Sequence, residues 1–259
     1  MRLPRLVPRG LIDIPLRRLA RTLGFDIERR RPVIADVIRL REIRTVLDVG
    51  ANVGQYAGRL RSWGYRGRIV SFEPLADACA ILRRRAAKDR SWDVVDYALG
   101  DVDAPLSINV SQASVFSSIL QAREEMVAAF SSAAPSGRQT IAVHRLDSVY
   151  ESLRLADGPV YLKVDTQGYE SRVIRGAEQS LAHVDGVQLE LSVTPMYEGE
   201  TALAHMVLLM EQHGFELALL EPVAYQPETQ TMLQTDAVFL RRSRRVHSNA
   251  GRSRPDAYA

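Results

Sequence analysis

The chain alternates short apolar runs with helix-like segments from Thr45 onward, and this alternation constrains the fold more than any other feature. TVLDVG predicts a buried strand that ends in a glycine turn, and QYAGRLRSWG predicts the helix that follows. RIVSFEP and DACAILRRRAAK repeat the pattern, and WDVVDYALG predicts a third strand. Parallel strands joined by crossover helices show this order of elements. The sequence therefore predicts an α/β fold.

The alternation is interrupted over about 105–145 and then returns. LSINV and TIAVHRL predict strands, with a helical piece near 120–130 between them. A connection of this length is typical of a functional insertion over the sheet edge or the active site. After it, PVYLKVD, GVQLELS, FELALL and DAVFLRR predict four more strands. We expect a Rossmann-like open seven-stranded sheet, mostly parallel with an antiparallel last strand, with helices on both faces.

The two ends of the chain differ from its middle in charge. Residues 1–31 contain nine arginines and three acids, and residues 241–259 contain six arginines and one acid, although the whole chain has a net charge of +3. We expect basic helices over 1–44, the main domain over 45–240, and a disordered basic tail over 241–259. The acidic middle argues against nucleic-acid binding by the folded domain, which would need a basic face.

Two features bear on where the protein acts. Cys79 is the single cysteine, so no internal disulfide forms, and no apolar run approaches the about 20 residues that span a bilayer. We therefore expect a cytoplasmic protein. The run 11–24 predicts a basic amphipathic helix, which either packs on the domain or contacts an anionic membrane or a lipid-linked substrate. Peripheral contact at the inner face of the membrane is thus an open alternative.

A glycine-rich turn follows the first predicted strand and contains Asp48, Gly50, Asn52 and Gly54. Gly50 allows a tight turn and the approach of a ligand to the backbone, and Gly54 allows the next helix to sit close. The acid two residues before Gly50 suits a cationic amino group and would repel a pyrophosphate. The motif therefore favours S-adenosylmethionine over a dinucleotide.

The ends of the second and third predicted strands complete a candidate nucleoside site. Glu73, followed by Pro74, is placed to accept hydrogen bonds from both ribose hydroxyls, in either class of cofactor. Asp96 is placed to hold the adenine amino group, with Ala98 beside the ring. A plain strand end is the alternative for Asp96 and Ala98.

Candidate catalytic residues follow on the next two predicted strands. Lys163 and Asp165 point to the same side of one strand, so that they can pair, and Asp165 and Gln167 are expected to face the same crevice as Gly50. Glu190 lies in an otherwise apolar strand, where burial of a carboxylate is costly unless it is paired or has a function. Glu170 is expected in a first helical turn, with capping as the alternative to function.

In combination and order, these motifs resemble the FkbM family of methyltransferases over roughly 45–240. The resemblance rests on DVGANVGQY, FEP, YALGD, Ser117 and Ser118, RLDSV, LKVDTQGYE, and the strand that contains Glu190. It implies S-adenosylmethionine-dependent O-methylation, often of sugar hydroxyls on glycolipids, polysaccharides or polyketide-like products. The family's usual pattern has an acid at the position of Gln167, which puts a catalytic or metal-binding role for Gln167 in doubt.

The expected reaction is an in-line displacement that needs an aligned hydroxyl and a proton acceptor. Asp165 is the candidate base, with Lys163 beside it and Glu190 orienting the acceptor hydroxyl or the cofactor. The histidines show no metal-ligand spacing, although a divalent cation shared by Asp165 and Glu190 is an alternative. The competing functions are an NAD-type oxidoreductase on a related sheet and a non-catalytic protein that binds lipid surfaces.

Overall fold

The computed structural model describes residues 33–155, 157–226 and 229–242. The strands in these ranges are β1 (Thr45–Val49), β2 (Arg68–Phe72), β3 (Trp92–Val95), β4 (Ala98–Leu99), β5 (Ala104–Ser111), β6 (Pro135–His144), β7 (Val160–Val164), β8 (Gly186–Ser192), β9 (Phe215–Tyr225) and β10 (Met232–Arg241). The helices are α1 (Ile34–Leu40), α2 (Gln55–Ser62), α3 (Ala76–Ala86), α4 (Glu124–Ala129), α5 (Leu146–Val149), α6 (Glu170–Arg175) and α7 (Leu203–Gln212).

The main sheet has seven strands in the order β3-β2-β1-β7-β8-β10-β9. The first five strands in that order are parallel, and β10 is antiparallel to both of its neighbours. The predicted fold class is therefore confirmed. The strand order reverses between β1 and β7, and ligands of open α/β sheets bind outside the carboxyl ends of the strands at such a point.

Two hydrophobic cores lie on opposite faces of the main sheet. Leu47 and Leu162 belong to the core that contains residues of α5, α6 and α7, whereas Val46 and Tyr161 belong to the core that contains residues of α1, α2 and α3. Successive side chains of a strand point to opposite faces, so helices cover both faces of the sheet. All five residues of β1 and of β7 are consequently buried.

The N-terminal helix of the described chain is part of this packing. It lies at Ile34–Leu40, within the segment 1–44 where helices are expected, and Ile34 and Ile38 are buried in the second core. The basic helix predicted over 11–24 and residues 243–259 of the predicted tail lie outside the described residues. No helix within the described ranges is both long and apolar enough to cross a bilayer.

The insertion predicted over 105–145 contributes β6 and most of β5 to a second, three-stranded sheet in the order β4-β6-β5. β5 and β6 pair antiparallel, and the predicted helical piece is α4. The prediction of one continuous third strand over WDVVDYALG was wrong. The chain leaves the main sheet after Val95, and Ala98 and Leu99 pair with β6 instead.

The segment between β7 and β8 does not form one continuous helix. α6 ends at Arg175, and a separate 3₁₀ turn covers Ser180–His183. Gly176 separates them, where a β-carbon would lie 1.8 Å from the carbonyl oxygen of Gly100. The close approach of these two backbone segments therefore requires glycine at this position.

Core packing at the centre of the sheet gives a stability prediction. Leu47→Ala should lower the free energy of unfolding by about 2–5 kcal/mol, because Leu47 is fully buried on a central strand. Leu208→Ala, on the exposed side of α7, should change it by no more than about 0.5 kcal/mol. Urea denaturation of both variants is the measurement. Equal effects at the two sites would contradict the proposed core.

Candidate active site

A cavity of about 650 Å³ opens at the carboxyl ends of the parallel strands. Its wall combines the loops after β1, β2 and β7 with part of the insertion and the end of β9. The volume is in the range of small-molecule and cofactor sites. The cavity therefore lies where the reversal of strand order predicts a binding site.

Both glycines of the turn after β1 are required by the fold. Gly50 has φ +74°, and a β-carbon there would lie 1.8 Å from the carbonyl oxygen of Asp165. Gly54 has φ +88°, and its β-carbon would lie 2.8–3.0 Å from Leu82 and Trp92. The backbone of Gly50 lines the cavity as expected, but its missing side chain makes room for the end of β7. Close packing of α2 at Gly54 agrees with the prediction.

Glu73 ties the loops after β1 and β2 together at the cavity wall. Its Oε2 accepts a hydrogen bond from the backbone N–H of Asn52 at 2.8 Å, and its Oε1 accepts one from Leu75 at 2.8 Å. Glu73, Pro74 and Asn52 all line the cavity. Burial, the largest effect, raises the pKa of Glu73 to about 6 against these two hydrogen bonds. Its carboxylate oxygens retain acceptor capacity toward a bound hydroxyl.

Asp48 lies beneath the cavity and is not one of the residues that line it. Its Oδ2 accepts a hydrogen bond from Ser71 Oγ at 3.2 Å, and Lys163 Nζ lies 3.4 Å from its Oδ1. Burial raises the pKa of Asp48, and Lys163 opposes that rise. The contact of Asp48 with a cationic ligand stays a prediction, since the cation beside it here is Lys163.

The residues predicted at the third strand end lie in different surroundings. Ala98 lines the cavity together with Leu99. Asp96 is exposed, pairs with Arg83 at 2.8 Å and does not line the cavity. This geometry favours the alternative of a solvated strand end for Asp96, because the chain turns away from the main sheet after Val95.

Lys163, Asp165, Gln167 and Glu190 meet at the floor of the cavity. Lys163 Nζ donates to Asp165 Oδ2 at 3.2 Å, so the predicted pair forms. Gln167 Nε2 donates to Asp165 Oδ1 at 2.9 Å and to Glu190 Oε2 at 2.6 Å. One amide group therefore bridges the two carboxyl groups.

Charge in this cluster is divided unequally. Burial favours the neutral form of both acids, but Lys163 and the hydrogen bonds outweigh it at Asp165 and lower its pKa. Burial raises the pKa of Glu190 well above its usual value, and the negative charge of Asp165 adds to the rise. The pKa of Lys163 is raised by its carboxylate neighbours although burial acts against it. These shifts favour the negative charge of the pair on Asp165 and the proton on Glu190, beside a charged Lys163.

Glu170 begins α6, as predicted, and its side chain forms hydrogen bonds with the loop before this helix. Its Oε1 accepts hydrogen bonds from the backbone N–H groups of Thr166 at 2.8 Å and Gly168 at 3.3 Å. It does not line the cavity, and burial raises its pKa to about 8. These contacts go to the loop and not to the N–H groups of α6, so they support a structural role in the loop and neither the capping interpretation nor a role in the cavity.

Sequence reasoning missed Asp236, Gln188 and Tyr197. Asp236 lies opposite Glu190 across β10 and β8, and an acid within an apolar strand is the signal that could have found it. Gln188 accepts a hydrogen bond from Tyr56 at 2.7 Å and lines the cavity. Tyr197 donates to Gln167 Oε1 at 2.9 Å, but it lies in a loop and no sequence pattern marks it.

In the described part of the chain, no group of three or more His, Cys, Asp or Glu side chains is arranged to hold a metal ion.

The family model of the methyltransferase FkbM domain matches residues 48–217, which is more than half of the chain. The chain belongs to the FkbM methyltransferase family. It is therefore an S-adenosylmethionine-dependent methyltransferase, and the NAD-type oxidoreductase and the non-catalytic alternative are set aside. No curated protein sequence matches the chain.

Solved structures with a similar chain path include several methyltransferases. A TehB-like enzyme from Corynebacterium glutamicum has 14% identity and a TM-score of 0.40, over 88% of this chain and 96% of that chain. Fibrillarin from Aeropyrum pernix, solved with S-adenosylmethionine, has 12% identity and a TM-score of 0.45, over 76% and 66%. The 1,6-didemethyltoxoflavin-N1-methyltransferase of Burkholderia thailandensis has 10% identity and a TM-score of 0.45, over 93% of both chains.

The residues of this FkbM methyltransferase fit the cofactor on their own chemistry. The cavity meets the turn at Gly50 and the carboxylate of Glu73, which suits a ribose diol, and Ala98 and Leu99 supply an apolar wall for a flat base. Lys163 and Asp165 border the same space from β7.

The predicted contact of Glu73 with the ribose hydroxyls can be tested by measuring cofactor affinity. Glu73→Gln should weaken S-adenosylmethionine and S-adenosylhomocysteine alike by roughly tenfold or more, because both present the same diol to a carboxylate. Because the pKa of Glu73 is about 6, affinity in the unmodified protein should fall as the pH drops below that value. Calorimetric titration measures both effects, with the exposed Glu151→Gln as the matched control. A loss confined to the methylated cofactor would contradict the assignment.

Proposed function

We propose that this enzyme transfers the methyl group to a hydroxyl oxygen, with Asp165 as the proton acceptor. The observation that carries the proposal is the contact of Lys163 Nζ with Asp165 Oδ2 at 3.2 Å on the cavity floor. It favours the ionised form of a half-buried carboxylate, whereas desolvation alone would favour the neutral form.

A carboxylate with a lowered pKa is adequate for this reaction. The bound cofactor supplies a methyl group that is already activated on a sulfonium. As the acceptor oxygen forms its bond to the methyl carbon and the carbon–sulfur bond breaks, the O–H group becomes strongly acidic. Asp165 takes this proton and later releases it to solvent. General-base assistance of this kind contributes about 10²–10⁴-fold, in addition to alignment of the hydroxyl.

The charge of the cavity supports a neutral, polyhydroxylated acceptor. Glu190, Glu221 and Asp236 line the wall on the side of β8, β9 and β10. Carboxyl groups bind hydroxyls well, and the ionised ones repel phosphates and carboxylates. A sugar hydroxyl, in a glycolipid, a polysaccharide or a secondary metabolite, suits these groups, whereas nucleic acid does not.

Replacement of the proton acceptor tests this proposal. Asp165→Asn should bind the cofactor nearly normally and lose roughly 10²–10⁴-fold in turnover, because the shape remains and the base is gone. Since the pKa of Asp165 is lowered, the unmodified enzyme should keep its rate across neutral pH and lose it only in acid.

The acceptor is first found by transfer of labelled methyl from the cofactor into a total lipid and glycan extract. Single-turnover rates over a range of pH then compare Asp165→Asn with Asp93→Asn, a surface aspartate that pairs with Arg68. Wild-type rates at every pH in Asp165→Asn would rule out Asp165 as the base. Label in nitrogen or carbon rather than oxygen would rule out O-methylation.

We further propose that the basic ends bring the enzyme to membrane-associated acceptors. Each arginine near an anionic surface contributes about 1 kcal/mol. Replacement of Arg17, Arg18 and Arg21 by Gln should therefore weaken binding to vesicles of anionic lipid by roughly 100-fold, and added salt should weaken it further. Vesicle flotation compares this variant with the same substitution at three exposed arginines of the domain, Arg84, Arg85 and Arg90. Equal binding by both variants would contradict the proposal.

A further inference from the structure

Gln167 has an unusual backbone for a residue that is not glycine. Its φ is +55°, in the left-handed region, directly after Thr166 at the end of β7. Side chains other than Gly adopt this region at a cost, and such residues cluster at sites where the surroundings hold them in place. The surroundings of Gln167 are therefore informative.

Two residues from outside β7 hold Gln167. Ser118 Oγ, in the insertion, donates to the backbone carbonyl of Gln167 at 2.6 Å. The hydroxyl of Tyr197 lies 2.9 Å from Gln167 Oε1 and 3.2 Å from the carbonyl oxygen of Phe116, and it can donate to either. One contact fixes the backbone, and the other fixes the side-chain amide.

The Gln167 amide is oriented by its contacts on both sides. Nε2 faces Asp165 and Glu190, so each of its two hydrogens is donated to one carboxyl group, and Oε1 accepts from Tyr197. The opposite orientation would place Oε1 against the ionised Asp165 carboxylate, so Asp165 sets the direction of the amide. Tyr197 stabilises this orientation by donating to Oε1.

Tyr197 is itself fixed by the insertion. It forms an isolated β-bridge with Ala122, and the backbone N–H of Glu198 donates to Gln121 at 2.8 Å. A β-carbon on Gly168 would lie 3.1 Å from the Tyr197 side chain, so the ring packs directly on this glycine. Tyr197 is almost completely buried, in a cluster with Met126 and Met196.

We infer that Gln167, held by Tyr197 and Ser118, is a positioning residue that stabilises the single negative charge of the Asp165–Glu190 pair, which Lys163 localises on Asp165. A hydrogen bond to an ionised carboxylate is stronger than one to a neutral acid, so a fixed donor on Asp165 favours its ionised form. The inference rests on the proposed role of Asp165, but its test does not require an acceptor or turnover.

Other charges also act on Asp165, and they stay in place when the amide is removed. The titratable groups that surround it on the neighbouring elements are Lys163 on β7, Asp48 on β1, Glu190 on β8, Asp236 on β10, Glu170 on α6 and Tyr197 after β8. Lys163 continues to favour ionisation, so loss of the Gln167 contact should shift the titration of Asp165 and not abolish its ionisation at neutral pH.

The test is a titration of the carboxyl carbons by ¹³C NMR, in full-length protein labelled at Asp and Glu. Asp165→Asn and Glu190→Gln assign the two signals. In Gln167→Met, which keeps the shape and removes the donor, the midpoint of Asp165 should rise by about one pH unit, the equivalent of one hydrogen bond. Tyr197→Phe should shift it in the same direction but by less, because the amide loses one of the contacts that hold it.

Tyr65→Phe is the matched control, since it removes a partly buried hydroxyl that donates to a backbone carbonyl at 3.2 Å, far from the cavity. It should leave the Asp165 midpoint unchanged. An unchanged midpoint in Gln167→Met would overturn the inference, and if Tyr197→Phe disturbs the insertion, Gln167→Met decides alone. If the midpoint shifts while Asp165→Asn keeps its turnover, the proposed base is wrong and the positioning of the pair stands.

Discussion

A lysine ammonium at the centre of the main sheet lies between two carboxylates, and the site depends on it. Lys163 Nζ lies 3.4 Å from Asp48 and 3.2 Å from Asp165, and its side chain is almost fully buried. An unpaired charge in such a position would be neutralised or would destabilise the fold. The two carboxylates stabilise the protonated form of Lys163, and Lys163 in turn stabilises the ionised form of Asp165.

Strand register explains why these groups meet. Asp48 lies beside Ser71 on β2 and beside Lys163 on β7, and Lys163 lies beside Gln188 on β8. This row of polar side chains crosses four parallel strands on one face of the sheet. Asp165 and Glu190 are each two residues further along their strands, on the same face and at the edge where the cavity opens. This row of polar side chains is thus followed, at the cavity, by Asp165 and Glu190.

The sequence predicts those parts of the arrangement that depend on local periodicity. The strands, the turn at Gly50 and the pairing of Lys163 with Asp165 all follow from spacing within one segment. The partner of Asp48 does not, because it requires the register between strands that are more than a hundred residues apart along the chain. The wrong continuous third strand has a similar cause, since Ala98 and Leu99 fit a strand equally well in either sheet.

The loop residues were the hardest to predict, and they connect the insertion with the chemistry. Ser118 and Tyr197 each bind Gln167, whose amide bridges the two acids. The insertion also contributes Phe116 and Phe130 to the cavity wall, where their rings stack at 5.4 Å. A segment that lines the cavity therefore also holds the amide that donates to Asp165. If Asp165 is the base, as we propose, changes in the insertion that suit a different acceptor must leave the contacts of Ser118 and Tyr197 in place.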